Sequence, residues 1–313
     1  CRACEPVCPS GVRFGTAMEA ARDALSAHGE FPRPWWLGAA LRRLGRAGRV
    51  PRTLGLLARL GIPRRLEPRG RLPRSAAEPV QSAARAPVER LLFFEGCVMP
   101  EMFPGAHAAT RALLEAAGHQ VVVERGRSCC GALHAHFGEG ERSAALGAAA
   151  LDSLKNNGAE RLVVHAAGCG AHLKGSLGTR VMDVMEVLHE ALIDGRLTFT
   201  RKVRGTVAVH DPCHHLHAQG IGHQTRQLLE QVPGLEMVPF TGAGSCCGAG
   251  GIYAQARPEM AGRIEDLREP ALHQLDARWL ASANPGCLMQ WRKLSRRGGP
   301  EPVHPVWLLA RAL

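Results

Sequence analysis

From residue 90 onward the apolar positions come in short unbroken runs, separated by stretches in which they recur at helical spacing. RLLFFEG (90–96), QVVVE (120–124) and RLVVHAAG (161–168) are three such runs, and TVAVHDP (206–212), LEMVPF (235–240) and RWLASANPG (278–286) are three more. Between them, ATRALLEAAGH (109–119) and residues 141–157, 224–231 and 257–275 place small and apolar residues three and four apart. That is the pattern of an amphipathic helix. Strands alternating with helices predict parallel sheets covered on both faces. Upstream, GTAMEAARDALSAHG (15–29) predicts a helix stopped by glycine, and WWLGAALRRLGRAG (35–48) and RTLGLLARLG (52–61) predict helices between proline breaks.

The six runs form an internal repeat, which their cysteines make visible. In the first copy 31 residues separate Cys97 from the pair Cys129-Cys130, and 38 more separate that pair from Cys169. In the second, 32 residues lie between Cys213 and Cys246-Cys247, and 39 between that pair and Cys287. Both pairs sit in the sequence Ser-Cys-Cys-Gly-Ala, and equivalent cysteines are offset by 116, 117 and 118 residues. A duplicated domain is the reading. Four segments follow: residues 1–30 with the opening cysteines, an Arg- and Pro-rich helical linker over 31–88, and the two copies over 89–200 and 201–313.

Composition narrows the chemistry. Eleven cysteines in 313 residues, with no signal-peptide pattern, argue for metal or cluster ligation rather than disulfides. No run approaches the roughly 20 apolar residues of a membrane span, and the chain reads as cytosolic. The net charge of +11 is carried almost wholly by arginine, since lysine occurs only at 155, 174, 202 and 293. We read this as coding bias, with no nucleic-acid partner implied. Much of the excess lies between Arg33 and Arg90, where an anionic membrane surface or an acidic partner could attach.

Each repeated cysteine falls just past the carboxyl end of a predicted strand, the edge where open α/β sheets bind ligands. Four converging thiolates per copy suit an iron–sulfur cluster or a structural zinc. Adjacent cysteines fit one tetrahedral zinc awkwardly and a larger multi-iron cluster more easily, and the glycine after each pair permits a tight turn. At the front, Cys1, Cys4, Cys8 and Pro9 match the last three cysteines and the proline of the bacterial ferredoxin run. A zinc knuckle is the rival reading of those three. Because the sequence opens on a cysteine inside this motif, we expect a fragment whose preceding part carries the first cysteine.

These motifs resemble the iron–sulfur subunits of glycolate oxidases. CRACEPVCPSGV (1–12) looks like that family's second ferredoxin motif, and the repeats look like its paired cysteine-rich (CCG) domains. CCGALHAHFGE (129–139), HAAGCGAHLK (165–174), HDPCHHLHAQG (210–220), CCGAGGIY (246–253), ANPGCLMQ (283–290) and VHPVWLLARAL (303–313) carry the likeness in order. The resemblance implies an α/β fold with two tandem parallel-sheet domains after a helical linker and a ferredoxin-like remnant. It also implies 4Fe-4S clusters, with zinc as the alternative in the repeats. Electrons would pass from FAD-containing 2-hydroxyacid dehydrogenase subunits toward a membrane quinone, at the inner face of the cytoplasmic membrane. The chain would not oxidise the hydroxyacid itself. A zinc-stabilised scaffold and a heterodisulfide-reductase-like protein are the competing functions. Against the latter, the broader pattern's fifth cysteine is replaced by His172 and Gln290. His134, His136, His210, His214 and His217 crowd the cysteines, either to orient loops around the sulfurs or to move protons.

Overall fold

The computed structural model describes residues 1–31, 34–44, 87–123, 129–296 and 298–313. The predicted helix at 52–61, most of the 31–88 segment and the end of the 35–48 helix lie outside the described residues. Two four-stranded parallel sheets carry the repeat. The first is ordered β2-β1-β3-β4, with β1 Arg90–Phe93, β2 Gln120–Val123, β3 Arg161–Val164 and β4 Val181–Asp183. The second is ordered β6-β5-β7-β8, with β5 Gly205–Val209, β6 Leu235–Met237, β7 Trp279–Ala281 and β8 Glu301–Val303.

All six predicted strands are present, each shorter than its apolar run. The fourth strand of each sheet was not expected. Val181–Asp183 and Glu301–Val303 are too short, and too mixed in polarity, to stand out by pattern. They are strands because a neighbour pairs with them: Leu162 with Val181, and Leu280 with Pro302.

Helices cover both faces of each sheet, so the strands read as continuous apolar runs. Side-chain alternation divides the cores. Leu91 and Val163 of the first sheet, and Val207, Val209, Trp279 and Ala281 of the second, face one shared core. Helices Pro104–Ala116, Val184–Ile193, His223–Glu230 and Pro305–Ala312 lie in that middle layer. Leu92, Phe94, Leu162 and Val164 face outward under helices Gly140–Asn156 and Ala167–Leu177. Ala208 and Leu280 do the same beneath Pro258–His273 and Pro285–Ser295, whose Trp291 joins their cluster.

Polar groups fix how the copies meet. Asp183 caps helix Val184–Ile193, accepting from the Met185 N–H at 3.0 Å while Glu186 accepts the Asp183 N–H at 2.8 Å. Its other oxygen meets His215 Nε2 of the second copy at 2.9 Å, with both side chains buried. Burial works against the Asp183 charge, yet His215 and the Met185 N–H keep its carboxyl below the usual range. The equivalent cap in the second copy, His304, accepts from the Val306 N–H and donates through Nε2 to the His165 carbonyl at 3.0 Å. Burial moves its pKa down to about 4, so the ring is neutral, as this bonding pattern requires.

Replacing Asp183 by Ala removes the cap and strands His215 in a buried site. Guanidinium denaturation is expected to show a loss of about 3–5 kcal/mol, and Asp183→Asn a smaller one. A loss below about 1 kcal/mol for Asp183→Ala would mean that the pair does not hold the copies together.

Candidate metal centres

In each sheet the chain leaves the first strand for one neighbour and later returns to the other side, which places a topological switch point between β1 and β3, and again between β5 and β7. Ligand crevices form at the carboxyl ends of strands around such points. Cys97 follows β1, Cys129-Cys130 follow β2, and Cys169 lies in the first turn of the helix after β3. Cys213, Cys246-Cys247 and Cys287 take the same places after β5, β6 and β7.

The sulfurs converge. Cys130 Sγ lies 3.2 Å from Cys169 Sγ, and the Cys97 thiol is hydrogen-bonded to Cys129. In the second copy Cys247 and Cys287 are 3.0 Å apart, and Cys213 is bonded to Cys246. These separations far exceed the roughly 2.05 Å of a disulfide, and all eight are free thiols. Among the described residues no three ligating groups already stand around one point at ion-binding distance. The quartets are packed as two hydrogen-bonded thiol pairs.

Electrostatics explains that packing. The Cys97 thiol donates to Cys129, the Gly131 N–H adds to it, and the Cys129 pKa falls to about 7. Cys213 and Gly248 do the same for Cys246, bringing it to about 6. The hydrogen-bond partners Cys97, Cys169, Cys213 and Cys287 are pushed up by the bond to the neighbouring sulfur, then by burial and by the nearby sulfur charges. Each site therefore presents one ready thiolate beside two thiols held protonated, Cys97 and Cys169 in the first copy and Cys213 and Cys287 in the second. Four sulfur donors and no other ligand type suit a soft or borderline metal.

The glycine of each Cys-Cys-Gly turn has φ +88°, a conformation that costs a side-chain-bearing residue about 1–2 kcal/mol. It aims the Gly248 N–H back at Cys246 Sγ, 3.4 Å away. A Cβ at Gly131 would stand 2.7 Å from the Ser143 carbonyl oxygen, whereas at Gly248 the nearest atom would be an Ile264 methyl at 3.3 Å. The residues at the fifth-cysteine positions support these turns. His172 Nε2 lies 3.1 Å from Ser143 Oγ, whose hydroxyl donates to the Gly131 carbonyl. Gln290 lies beside Gly248 and donates to Glu265.

The histidines divide by partner. His210 bonds Ser282 Oγ and the Ser245 carbonyl, each at 3.0 Å, and so ties the Cys246 loop to the end of β7. His134, buried, bonds Glu139 through Nδ1 at 2.6 Å. His136 and His214 stack across the copies with ring centroids 6.1 Å apart. His217 ends the short helix that Cys213 opens. Burial lowers His210 and His214 to about 4 and His136 to about 3. Rings that bind a proton only in acid carry none to pass on near pH 7.

Cys1 and Cys4 are exposed and Cys8 is half-buried. The N–H groups of Val12, Ser10 and Gly11 surround the Cys8 sulfur and lower its pKa. Helix Phe14–Ala27 docks this segment on the first copy, where Asp23 accepts the Gly140 N–H at 2.7 Å. The Asp183–His215 and Asn284 contacts between copies left no signal in the sequence.

A family model of the cysteine-rich CCG domain matches residues 91–174 and 207–292. The chain is 31% identical to a probable glycolate oxidase iron–sulfur subunit of Bacillus subtilis, over 98% of this chain and 79% of that protein. It is 29% identical to the glycolate oxidase iron–sulfur subunit of Escherichia coli, over 100% of this chain and 80% of that one. A fumarate reductase (CoM/CoB) subunit of Methanothermobacter marburgensis is 29% identical over 66% of this chain and 42% of its own length.

Two outcomes follow for the metal-free chain. Gly248→Ala is expected to cost about 1–2 kcal/mol from its backbone conformation, and Gly131→Ala more, because a backbone carbonyl must also move; equal losses in thermal unfolding would contradict this. Iodoacetamide is expected to modify Cys246 with a half-maximal rate near pH 6, with Cys213 and Cys287 still protected. Mass-spectrometric mapping checks the order.

Proposed function

Because the chain belongs to the cysteine-rich CCG family and is homologous along nearly its whole length to glycolate oxidase iron–sulfur subunits, we propose that it is the electron-transfer subunit of a glycolate-type 2-hydroxyacid dehydrogenase. The observation that carries the reading is the four-thiol constellation, built twice at equivalent strand ends. Cys97, Cys129, Cys130 and Cys169 would hold one 4Fe-4S cluster, and Cys213, Cys246, Cys247 and Cys287 a second. When bound, such clusters accept and release single electrons.

The chain's own residues prepare the sites. The Gly131 and Gly248 N–H groups stabilise a thiolate in each copy, His210 fixes the Cys246 loop, and the outer helices exclude water. Iron–sulfur rather than zinc is supported by the ferredoxin-like run at the front, with its amide-ringed Cys8. In this reading residues 1–30 are the end of a ferredoxin-type domain, 31–88 a linker, and 89–200 and 201–313 the two CCG domains. FAD-containing subunits supply electrons and a membrane quinone takes them. The chain acts at the inner face of the cytoplasmic membrane. No helix among the described residues is long and apolar enough to cross a membrane. Peripheral attachment is supported by exposed Trp35 and Trp36 beside an arginine-rich stretch, a combination suited to anionic headgroups.

The test is reduction by substrate. With its flavoprotein partners present, glycolate is expected to bleach the visible cluster absorbance of the anaerobic chain, and to do nothing to the chain alone. Bleaching by dithionite but by no 2-hydroxyacid in the assembled complex would overturn the assignment. Cys130→Ala and Cys247→Ala are each expected to remove one of the two clusters of the repeats, about four irons per chain.

A further inference from the structure

Asn284 occupies the N-cap of helix Pro285–Ser295, yet its side chain caps none of that helix's backbone N–H groups. Asparagine is among the best N-caps, and a forgone cap costs about 1 kcal/mol. The amide is engaged elsewhere. Its Oδ1 accepts the N–H of Gly168 in the other copy at 3.1 Å, and its Nδ2 donates to Cys287 Sγ at 3.4 Å. Gly168 is the residue before Cys169, so one side chain spans from a sulfur of the second quartet to the backbone of the first.

The span lies in a half-buried seam between the copies. Ala167 N–H donates to the Ala283 carbonyl at 3.0 Å, and Gln219 Nε2 donates to the Ala167 carbonyl at 2.9 Å. Helix Ala167–Leu177 has Ala166 at the matching N-cap, which cannot return the bridge. The connection is therefore built once, and on one side only.

Resting on the reading that both quartets hold clusters, we propose that Asn284 is a positioning residue that tunes the second centre from an anchor on the first copy's cysteine loop. Its N–H steadies the electron-rich Cys287 sulfur, and Gly168 holds the amide in the orientation that permits this. Hydrogen bonds to cluster sulfurs favour the more negative, reduced state and raise the reduction potential. Asn284 thus makes the second centre easier to reduce than the repeat alone would, and it makes that advantage depend on the position of the first copy's cysteine loop.

Two variants separate the ends of the bridge. Asn284→Asp keeps the acceptor for Gly168 and turns a negative oxygen toward Cys287, whereas Asn284→Ala removes both contacts. In EPR-monitored redox titrations of the anaerobically reconstituted full chain, with signals assigned through Cys97→Ala, the second centre's potential is expected to fall in both. The fall is larger in Asn284→Asp, and the first centre does not move. In the metal-free chain, NMR hydrogen exchange at the Gly168 amide is expected to accelerate in Asn284→Ala and to stay slow in Asn284→Asp. Unchanged potentials in both variants, or equal shifts of both centres, would overturn the proposal. So would Gly168 exchange that is indifferent to Asn284→Ala. A wild-type chain that takes up no iron would instead defeat the cluster reading, while leaving the exchange experiment to judge the bridge.

Discussion

Four thiols at the edge of one parallel sheet cannot all ionise in each other's presence, and the surrounding structure is organised around that repulsion. Each quartet settles into two hydrogen-bonded pairs with one lowered pKa, at Cys129 in the first copy and Cys246 in the second. A cation that accepts all four sulfurs relieves the conflict. The left-handed glycines and the Ser143 and Glu265 contacts behind them keep the sulfurs together.

Duplication then creates a second problem, how to hold two such sites in one body. The shared core answers most of it, with helices from both copies packed between the sheets. Apolar packing is tolerant of small slips, so orientation rests on directional bonds. Asp183 with His215, His304 with the His165 carbonyl, and Asn284 with Gly168 all cross the boundary near the cysteine loops. The repeat is consequently not symmetric where it matters. Asp183 and His304 are equivalent caps with opposite chemistry, and among the described residues only the second copy places a side-chain amide on a cysteine sulfur.

Much of the architecture was legible in the chain. Runs such as LLFF and LVV announce strands buried on both faces, and the cysteine spacing marks which strand ends converge. Legibility stopped where structure depends on partners far along the chain. Glu301–Val303 is a strand only because Trp279–Ala281 lies beside it. Asn284 reads locally as an ordinary cap before a proline, and nothing in its neighbourhood points to Gly168. The crowding of histidines was visible, whereas the burial that keeps His136, His210 and His214 neutral was not. That burial suits orienting roles better than proton relay.

The most direct measurement is the content of iron, acid-labile sulfide and zinc in the anaerobically purified full chain, taken together with its EPR spectrum before and after reduction. The cluster reading proposed above expects iron and sulfide in nearly equal amounts, little zinc, and a signal that changes with reduction. Zinc without sulfide, and no reducible signal, would contradict it and leave the two quartets as structural clasps.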